Sequence, residues 1–458
     1  MTAETQPLRS SISSAPTTWG LRNAHDPTVV RADDGLYVMM STDACADGPA
    51  PSGVHIRTSP DLVTWDWHGT AFDGVPPSAH NWANAQGLWA PEVVRWRGAE
   101  GTDTAWRMLW SASSFGSRTS AIGLATAPTP LGPWHDEGIV VRTHHNHSSQ
   151  NAIDACVTWD DQGRPWLTYG SFFSGLYALE LDPITGMPRH PGSMGERIAA
   201  RPRAVEGALE GPFLRAPQPG EPDNYNLFVS FDSLFNAYDV RVAHAPAPIG
   251  PYIDRAGNRL LDRRLMDDTC ELDPTNVGTQ ILAGHQFPGL PGLIAPGHCS
   301  VFRDDDGTEF LVHHVRHADS PGQHEAQIRR LLLMPSGWPV VSPLPYGGES
   351  RETSTTLCDD SLRGTWFVLD LSAVPEQVPV PLPDGFPDHL RLAPMVVAQP
   401  VALPSGNLND LGLVEGVTFP VTLPTGQSTI AFAGYRQAGD RLVHVSGYRG
   451  IDGTPAPQ

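Results

Sequence analysis

The segments PTVVRADDGLYVMM (residues 27–40), CVTWDDQGRPWLTYGSF (156–172) and CSVFRDDDGTEFLVHHV (299–315) share one pattern: an apolar run, an Asp/Gly turn, then a second apolar or aromatic run. Asp and Gly between two β-type runs signal a hairpin, because glycine readily enters the positive φ that a tight turn demands. The turn glycines Gly35, Gly163 and Gly307 stand 128 and 144 residues apart, each interval near two lengths of one unit. A second signature closes units: SPDLVTWDWHG around Trp65, TPLGPWHDEG around Trp134 and APIGPYIDRAG around Tyr252. Trp65 and Trp134 are 69 residues apart, and Trp134 and Tyr252 are 118 apart. Dividing residues 20–345 by five gives units of about 65 residues, enough for four short strands and their loops. The pattern predicts an all-β, five-bladed β-propeller, with a β-sandwich or jelly roll as the competing architecture.

Outside this region the composition changes. Residues 1–19 are rich in Ser, Thr and Pro and read as a flexible segment, so the propeller is placed at 20–349. Beyond LPYGGESRE, a Pro/Val-rich stretch leads into alternating runs such as GTWFVLDL, GVTFPVTL and RLVHVSGY, which predict a small β domain, sandwich or barrel-like, at 350–458. The last residues, GTPAPQ, read as a loose tail.

The 458 residues include 30 basic and 50 acidic side chains, a formal net charge of −20, and every basic residue is arginine. The absence of lysine excludes a Schiff-base or P-loop lysine. The acidity excludes nucleic acid and anionic membrane as general partners, since both are bound through basic surface. A neutral small substrate fits better, and 13 Trp, 9 Tyr and 15 Phe offer faces on which sugar rings can stack. No run of about 18 apolar residues predicts a membrane span. The N-terminus shows no apolar signal-peptide core, and the five cysteines are scattered without a CxxC pair; both point to a cytoplasmic, reducing location without disulfides or zinc. Nothing in the sequence indicates an oligomeric state.

Three acids stand at strand entrances. Asp26 precedes Pro27 in NAHDPT, Asp154 opens an apolar run in QNAIDACVTW, and Glu210 precedes Gly211 and Pro212 in ALEGPFL. Singly, each also fits an ordinary turn or cap residue. In a propeller, however, the entrances of the inner strands converge on one axis, and acids from different blades face each other there.

The chain resembles glycoside hydrolase family 43, most closely its arabinan endo-1,5-α-L-arabinanase branch. The likeness is carried by NAHDPTVVRADDGLYVMMSTD, LWAPEVV, LWSASSFGSRTSAIGLATAPTPLGPWHDEG, NAIDACVTWDDQGRPWLTYGSFFSGLYALELDPITG, ALEGPFL, YNLFVSFD, APGHCSVFRDDDG and QIRRLLLMPSGWPVVSPLPYGGE, in family order. The resemblance implies a five-bladed propeller and inverting hydrolysis of pentose oligosaccharides, foremost α-1,5-linked arabino-oligosaccharides. Asp26 then falls on the general base, Glu210 on the general acid, and Asp154 on the group that tunes the acid and orients substrate. Glu206 competes with Glu210, which is preferred because the family's acid directly precedes a Gly/Ala-Pro pair. Inversion needs one ionised and one protonated carboxyl, so Glu210 is expected to be raised by burial and by Asp154 while Asp26 stays charged.

By the same resemblance, His298 in APGHCS helps hold a metal, calcium, largely through water, as an oxygen-preferring ion requires; a hydrogen-bonded core histidine is the alternative. The His-rich HHNH at 144–147 lacks a carboxylate or cysteine at ligand spacing and reads as an exposed loop. Candidate substrate contacts are His25, Trp89, Ser113, Phe115, Asn151, Ser171, Phe173 and Arg316, with Trp89 stacking on a furanose and Arg316 orienting an acid. Core packing is the competing reading for each Phe. The chain departs from the family at Ala155, where Pro is usual after NAID, which predicts a looser loop at Asp154. It also departs in SFDSLFNAYDVRVAHA and in a long insertion at 260–292, both expected to remodel the cleft and to leave exo action, as an α-L-arabinofuranosidase or β-xylosidase, beside endo action. A non-catalytic carbohydrate-binding propeller is the reading from outside the enzymes.

Overall fold

The computed structural model describes residues 15–46, 48–97, 105–266, 272–382 and 387–451. The chain is all-β. Four antiparallel four-stranded sheets follow one another, each in sequence order. The first comprises His25–Arg31, Tyr37–Thr42, His55–Ser59 and Asp66–Thr70. The second comprises Trp89–Arg95, Trp106–Ala112, Ser120–Ala127 and His135–Thr143. Cys156–Trp159, Pro165–Tyr169, Leu176–Glu180 and Glu196–Ala199 form the third. Leu209–Arg215, Tyr225–Phe231, Asp239–Ala245 and Thr279–Leu282 form the fourth. A fifth sheet is built on Leu293–Arg303, Glu309–His317, Ser320–Leu333 and Pro339–Val341.

The three quoted hairpins join the first two strands of the first, third and fifth sheets. Each closes through the same turn, with Gly35, Gly163 and Gly307 donating to the carbonyls of Ala32, Asp160 and Asp304 at 2.9, 3.0 and 2.9 Å. All three glycines have φ between 75° and 89°, a region open to glycine at no steric cost.

Apolar side chains fill the space between successive sheets. Val38, Met40 and Ile56 meet Val93, Met108 and Trp110 between the first and second. Leu109 and Ile122 meet Val157 and Leu167 between the second and third. Cys156 and Ala178 meet Leu214 and Leu227 between the third and fourth. Phe228 and Val240 meet Cys299 and Leu311 between the fourth and fifth, and Phe302 and Phe310 meet Val29 and Tyr37 between the fifth and the first. The signature residues Trp65, Trp134 and Tyr252 are all buried in these layers. Burial on both faces explains why strands such as YVMMST lack a polar side.

The innermost strands share a further device. Asp26, Ala90, Gly211 and Ala295 each precede a proline and each have φ between 39° and 59°. The ladder slips at these points, between His25 and Thr28, Trp89 and Glu92, Glu210 and Phe213, and Ile294 and Gly297. Proline cannot donate to a ladder, so it sits where a bulge bends the strand. In the third sheet Asp154 holds φ 63° although Ala155 replaces the proline. The Asp154 N–H donates to Ser111 Oγ at 3.0 Å, and its Oδ2 accepts the Gly211 N–H at 3.1 Å. These bonds correct the expectation of a loosened loop: partners from the neighbouring sheets hold Asp154 in place without the proline.

The boundary expected at 350 is not a clean cut. Leu392–Val397 runs parallel to His285–Gln286 and pairs with Glu376–Pro379, and these three strands widen the fifth sheet to seven. The other strands, Gly364–Asp370, Gln399–Leu403, Leu413–Thr422, Ser428–Ala438 and Arg441–Arg449, form a separate five-stranded sheet. One apolar cluster joins it to the fifth sheet, with Phe287, Leu332 and Val340 packed against Phe367, Val417 and Tyr435. At the other end, residues 1–14 of the expected flexible segment and the tail from 452 lie outside the described residues. Trp19, placed in that segment, is 4 % exposed and packs edge-on against Trp67, so order begins before residue 20. Among the described residues no helix is long and apolar enough to cross a membrane.

Candidate active site

The bulged entrances of the inner strands open on one cavity of about 830 Å³. Its lining includes every residue singled out in the sequence: Asp26, Asp154 and Glu210, with His25, Trp89, Ser113, Phe115, Asn151, Ser171, Phe173, His298 and Arg316. The three acids come from three different sheets. A single closing geometry therefore gathers residues up to nearly 300 positions apart.

Asp26 is buried. Thr42 Oγ1 donates to its Oδ2 at 2.6 Å and is itself set by the Ala90 N–H at 2.8 Å. His25 Nδ1 and His298 Nδ1 lie 2.8 and 3.1 Å from Oδ1. His314 Nδ1 is 3.4 Å from the same oxygen but accepts the Asp26 backbone N–H at 3.3 Å, which makes it the weakest support of the three. Burial alone would raise Asp26, but His25 and His298 hold it well below the usual carboxylate range. Burial also lowers His298 and His314, while the charge of Asp26 opposes the shift in both.

Glu210 is buried as well. Ser171 Oγ donates to its Oε2 at 2.6 Å, and the Tyr238 hydroxyl donates to Oε1. Burial pushes Glu210 up to about 7, against the lowering effect of Ser171 and with help from the charge of Asp26. Burial raises Asp154 well above its ordinary value, with Glu210 and Asp26 adding to the shift. Glu206 is exposed on the rim. The cavity therefore holds one carboxyl strongly biased toward ionisation and a second biased toward keeping its proton.

The polar candidates form a chain that ends on Glu210. Ser113 Oγ meets Ser120 Oγ at 2.6 Å, Ser120 donates to Asn151 Oδ1 at 2.7 Å, and Asn151 Nδ2 donates to Ser171 O at 3.4 Å. Phe115 is 78 % exposed and its ring centre is 5.3 Å from that of Trp89, while Phe173 is 40 % exposed under the Arg118 guanidinium. Neither Phe is core. Arg316 donates to the carbonyls of Leu234 and Pro321, both at 2.8 Å, so it braces the 232–238 loop while its charge stays in the cavity wall. The 144–147 tract lies mostly on the surface, as expected.

Three partners were not singled out from the sequence: Thr42, Tyr238 and His314. Tyr238 lies inside SFDSLFNAYD, already marked as unusual, and His314 lies two residues before Arg316. Thr42 carried no local signal, because its role depends on pairing with Asp26 across the first sheet. The insertion at 260–292, expected to reshape the cleft, contributes no described residue to the cavity wall. Ser233, Leu234, Phe235 and Tyr238 do line it. For the metal, the donor set is three imidazoles, His25, His298 and His314, around the single carboxylate of Asp26. Calcium takes roughly six to eight oxygens, so the site fits it only with most ligands supplied by water.

Residues 21–339 match the description Glycosyl hydrolases family 43. The chain belongs to this family. It is thus a glycosidase, and the inverting chemistry general to family 43 accounts for the two differently poised carboxyls. It is 28% identical to the extracellular endo-alpha-(1->5)-L-arabinanase of Thermotoga petrophila, over 71% of this chain and 72% of that protein. It is also 28% identical to the extracellular exo-alpha-(1->5)-L-arabinofuranosidase of Cellvibrio japonicus, over 70% of this chain and 86% of that one. The crystal structure of the endo-1,5-alpha-L-arabinanase of Thermotoga petrophila superposes with a TM-score of 0.69 at 24% identity, covering 95% of this chain and 100% of its own. The expected cytoplasmic location is corrected by these comparisons: both curated relatives are extracellular proteins. Scattered cysteines and an unremarkable N-terminus are weak indicators of compartment beside them.

Proposed function

We propose that this protein is an inverting glycosidase acting on α-1,5-linked L-arabino-oligosaccharides outside the cell, with Asp26 as general base, Glu210 as general acid and Asp154 as the group that tunes the acid and orients substrate. The observation that carries the assignment is the opposite bias of two carboxyls in one cavity, with Asp26 held low and Glu210 pushed up to about 7. Asp26 deprotonates a water on one face of the sugar while Glu210 protonates the leaving oxygen on the other. Asp154 accepts a backbone N–H that cannot reverse direction, whereas Ser171 and Tyr238 are hydroxyls that donate or accept. Glu210, pushed up to about 7, keeps its proton over a range in which Asp26 is ionised.

Trp89 and Phe115 offer the stacking surface, and the Ser113 to Ser171 chain offers hydroxyl partners. His298 presents Nδ1 to Asp26, which leaves Nε2 to hold a calcium ion completed by water. Such an ion would supply positive charge next to Asp26. The five sheets, each packed on the next and the last on the first, support a five-bladed propeller, and the separate sheet from 364 to 449 supports a small C-terminal domain. Exo action on the same linkage is the second reading, favoured by the likeness to the exo-acting Cellvibrio japonicus relative.

Product analysis on linear α-1,5-arabino-oligosaccharides, beside aryl arabinofuranoside and xyloside, tests both readings. Mixed short oligosaccharides are expected from endo action and monomer alone from exo action. Retained anomeric configuration in the first-formed product, followed by NMR, would sink the inverting assignment.

A further inference from the structure

We propose that the C-terminal part of the chain buttresses the active-site wall from outside the cavity, and that Asn236 is the positioning residue through which it holds the general acid in place. The proposal rests on the reading of Glu210 as that acid. Asn236 is buried, and its Nδ2 donates to the carbonyls of His389 at 3.3 Å and Leu392 at 2.7 Å. These carbonyls lie at the junction of the 3-10 turn Asp388–Arg391 and the strand Leu392–Val397 that widens the fifth sheet. Both hydrogens of one side-chain amide are thus spent on a segment more than 150 residues away.

On its other side Asn236 belongs to a compact loop. The N–H groups of Asn236, Ala237 and Tyr238 converge on Ser233 O at 3.2, 2.9 and 2.9 Å, and Arg316 Nε donates to Leu234 O at 2.8 Å. Two residues past Asn236, the ring of Tyr238 fills the space left by Gly297, where an added Cβ would come within 2.1 Å of it. The Tyr238 hydroxyl reaches Glu210 Oε1. A continuous path therefore runs from the strand at 392 through Asn236 and Tyr238 to the acid. Loosening the loop by a fraction of an ångström displaces the proton that must reach the leaving oxygen.

A sugar-binding role would be the obvious alternative for such an appended sheet, but its aromatic residues argue against one. Among the described residues, every aromatic side chain beyond 350 is buried: Trp366, Phe367, Phe419, Phe432, Tyr435 and Tyr448. Among the described residues no Trp, Tyr or Phe ring there is left to stack on a saccharide. The sheet's polar groups turn toward the body instead: the Tyr435 hydroxyl donates to Pro339 O at 2.7 Å, and the Val341 N–H donates to His444 Nε2 at 3.2 Å.

The test compares two substrates on one preparation of full-length Asn236→Ala. Dinitrophenyl α-L-arabinofuranoside has a leaving group that needs little protonation, whereas α-1,5-arabinotriose needs the acid. The ratio of kcat/KM on the triose to that on the aryl glycoside does not depend on the folded fraction, so it reads positioning rather than stability. That ratio is expected to fall about tenfold in Asn236→Ala, and about 100-fold or more in Glu210→Ala. Amide hydrogen exchange at 233–238 is expected to quicken in Asn236→Ala. An unchanged ratio in Asn236→Ala beside a collapsed one in Glu210→Ala overturns the proposal and leaves the acid standing. An unchanged ratio in Glu210→Ala overturns both.

Discussion

Asp154 Oδ2 accepts the backbone N–H of Gly211 at 3.1 Å, one residue past Glu210, so the third sheet grips the fourth at the residue beside the acid. The contact fixes the distance between two buried carboxyls that compete for protons, both raised by burial. In Asp154→Asn the amide keeps the contact and is neutral, as the raised Asp154 carboxyl is while Glu210 titrates; the shift of Glu210 comes from burial and the charge of Asp26. An acid is active while protonated, and with Glu210 at about 7 the wild-type kcat/KM is expected to fall as pH rises through that value. The alkaline limb of Asp154→Asn is expected near the wild-type pH, with kcat reduced about tenfold or more because substrate is no longer oriented. A pH–rate profile of both proteins checks this, and a limb displaced by about a pH unit or more would contradict it.

Thr42 holds the other end of the machinery. Its hydroxyl donates to Asp26 Oδ2 at 2.6 Å, and valine would keep the volume without the donor. A hydrogen bond to a charged group is worth roughly 1.5–3 kcal/mol, so Thr42→Val is expected to lower kcat/KM by about tenfold or more. It is also expected to move the acidic limb to higher pH, because Asp26 loses a bond that favours its ionised form. A pH–rate profile carried well below about pH 4, where Asp26 titrates, reports both effects.

Glu92, in the LWAPEVV motif, is a buried carboxyl that the proposed chemistry does not use. Thr28 Oγ1 donates to it at 3.1 Å, yet burial pushes it from 4.5 up to about 8. A carboxyl raised in the folded state binds its proton more tightly there than in the unfolded chain, so its effect on stability worsens with rising pH between those two values. Glu92→Gln removes the titration. Relative to wild type it is expected to gain on the order of 1 kcal/mol per pH unit across that window, and nothing further above it. Urea unfolding at pH 5 and pH 8 measures the difference, and a constant offset would refute it.

Asp154 adopts φ 63°, the conformation that Asp26, Ala90, Gly211 and Ala295 adopt before proline. Ala155→Pro is therefore expected to be accepted and to stabilise the fold by about 0.4–1 kcal/mol through the unfolded chain, with activity retained. Thermal unfolding together with an arabinofuranosidase assay tests this. A loss of several degrees in Tm would show that the third sheet uses a different geometry.

What the sequence alone carried was local. The Asp/Gly turns, the signature around Trp65 and Trp134, and the acids at strand entrances are short-range patterns whose conformations depend on near neighbours; they pointed to an all-β fold that gathers its acids, and the resemblance to family 43 pointed to a glycosidase. The expected looseness at Asp154 failed because Ser111 and Gly211, from the second and fourth sheets, supply what Ala155 does not. Composition at 350 could not show that strand pairing joins Glu376–Pro379 and Leu392–Val397 to the fifth sheet. Thr42 and Tyr238 became visible only as partners of Asp26 and Glu210, 16 and 28 positions away. Side-chain contacts between strands follow from register and from how sheets close on one another, and neither is written in any single segment. The residue types were legible in the chain; which of them hold the two carboxyls at opposite ends of the proton scale was decided by tertiary structure, because burial and partner geometry set a pKa.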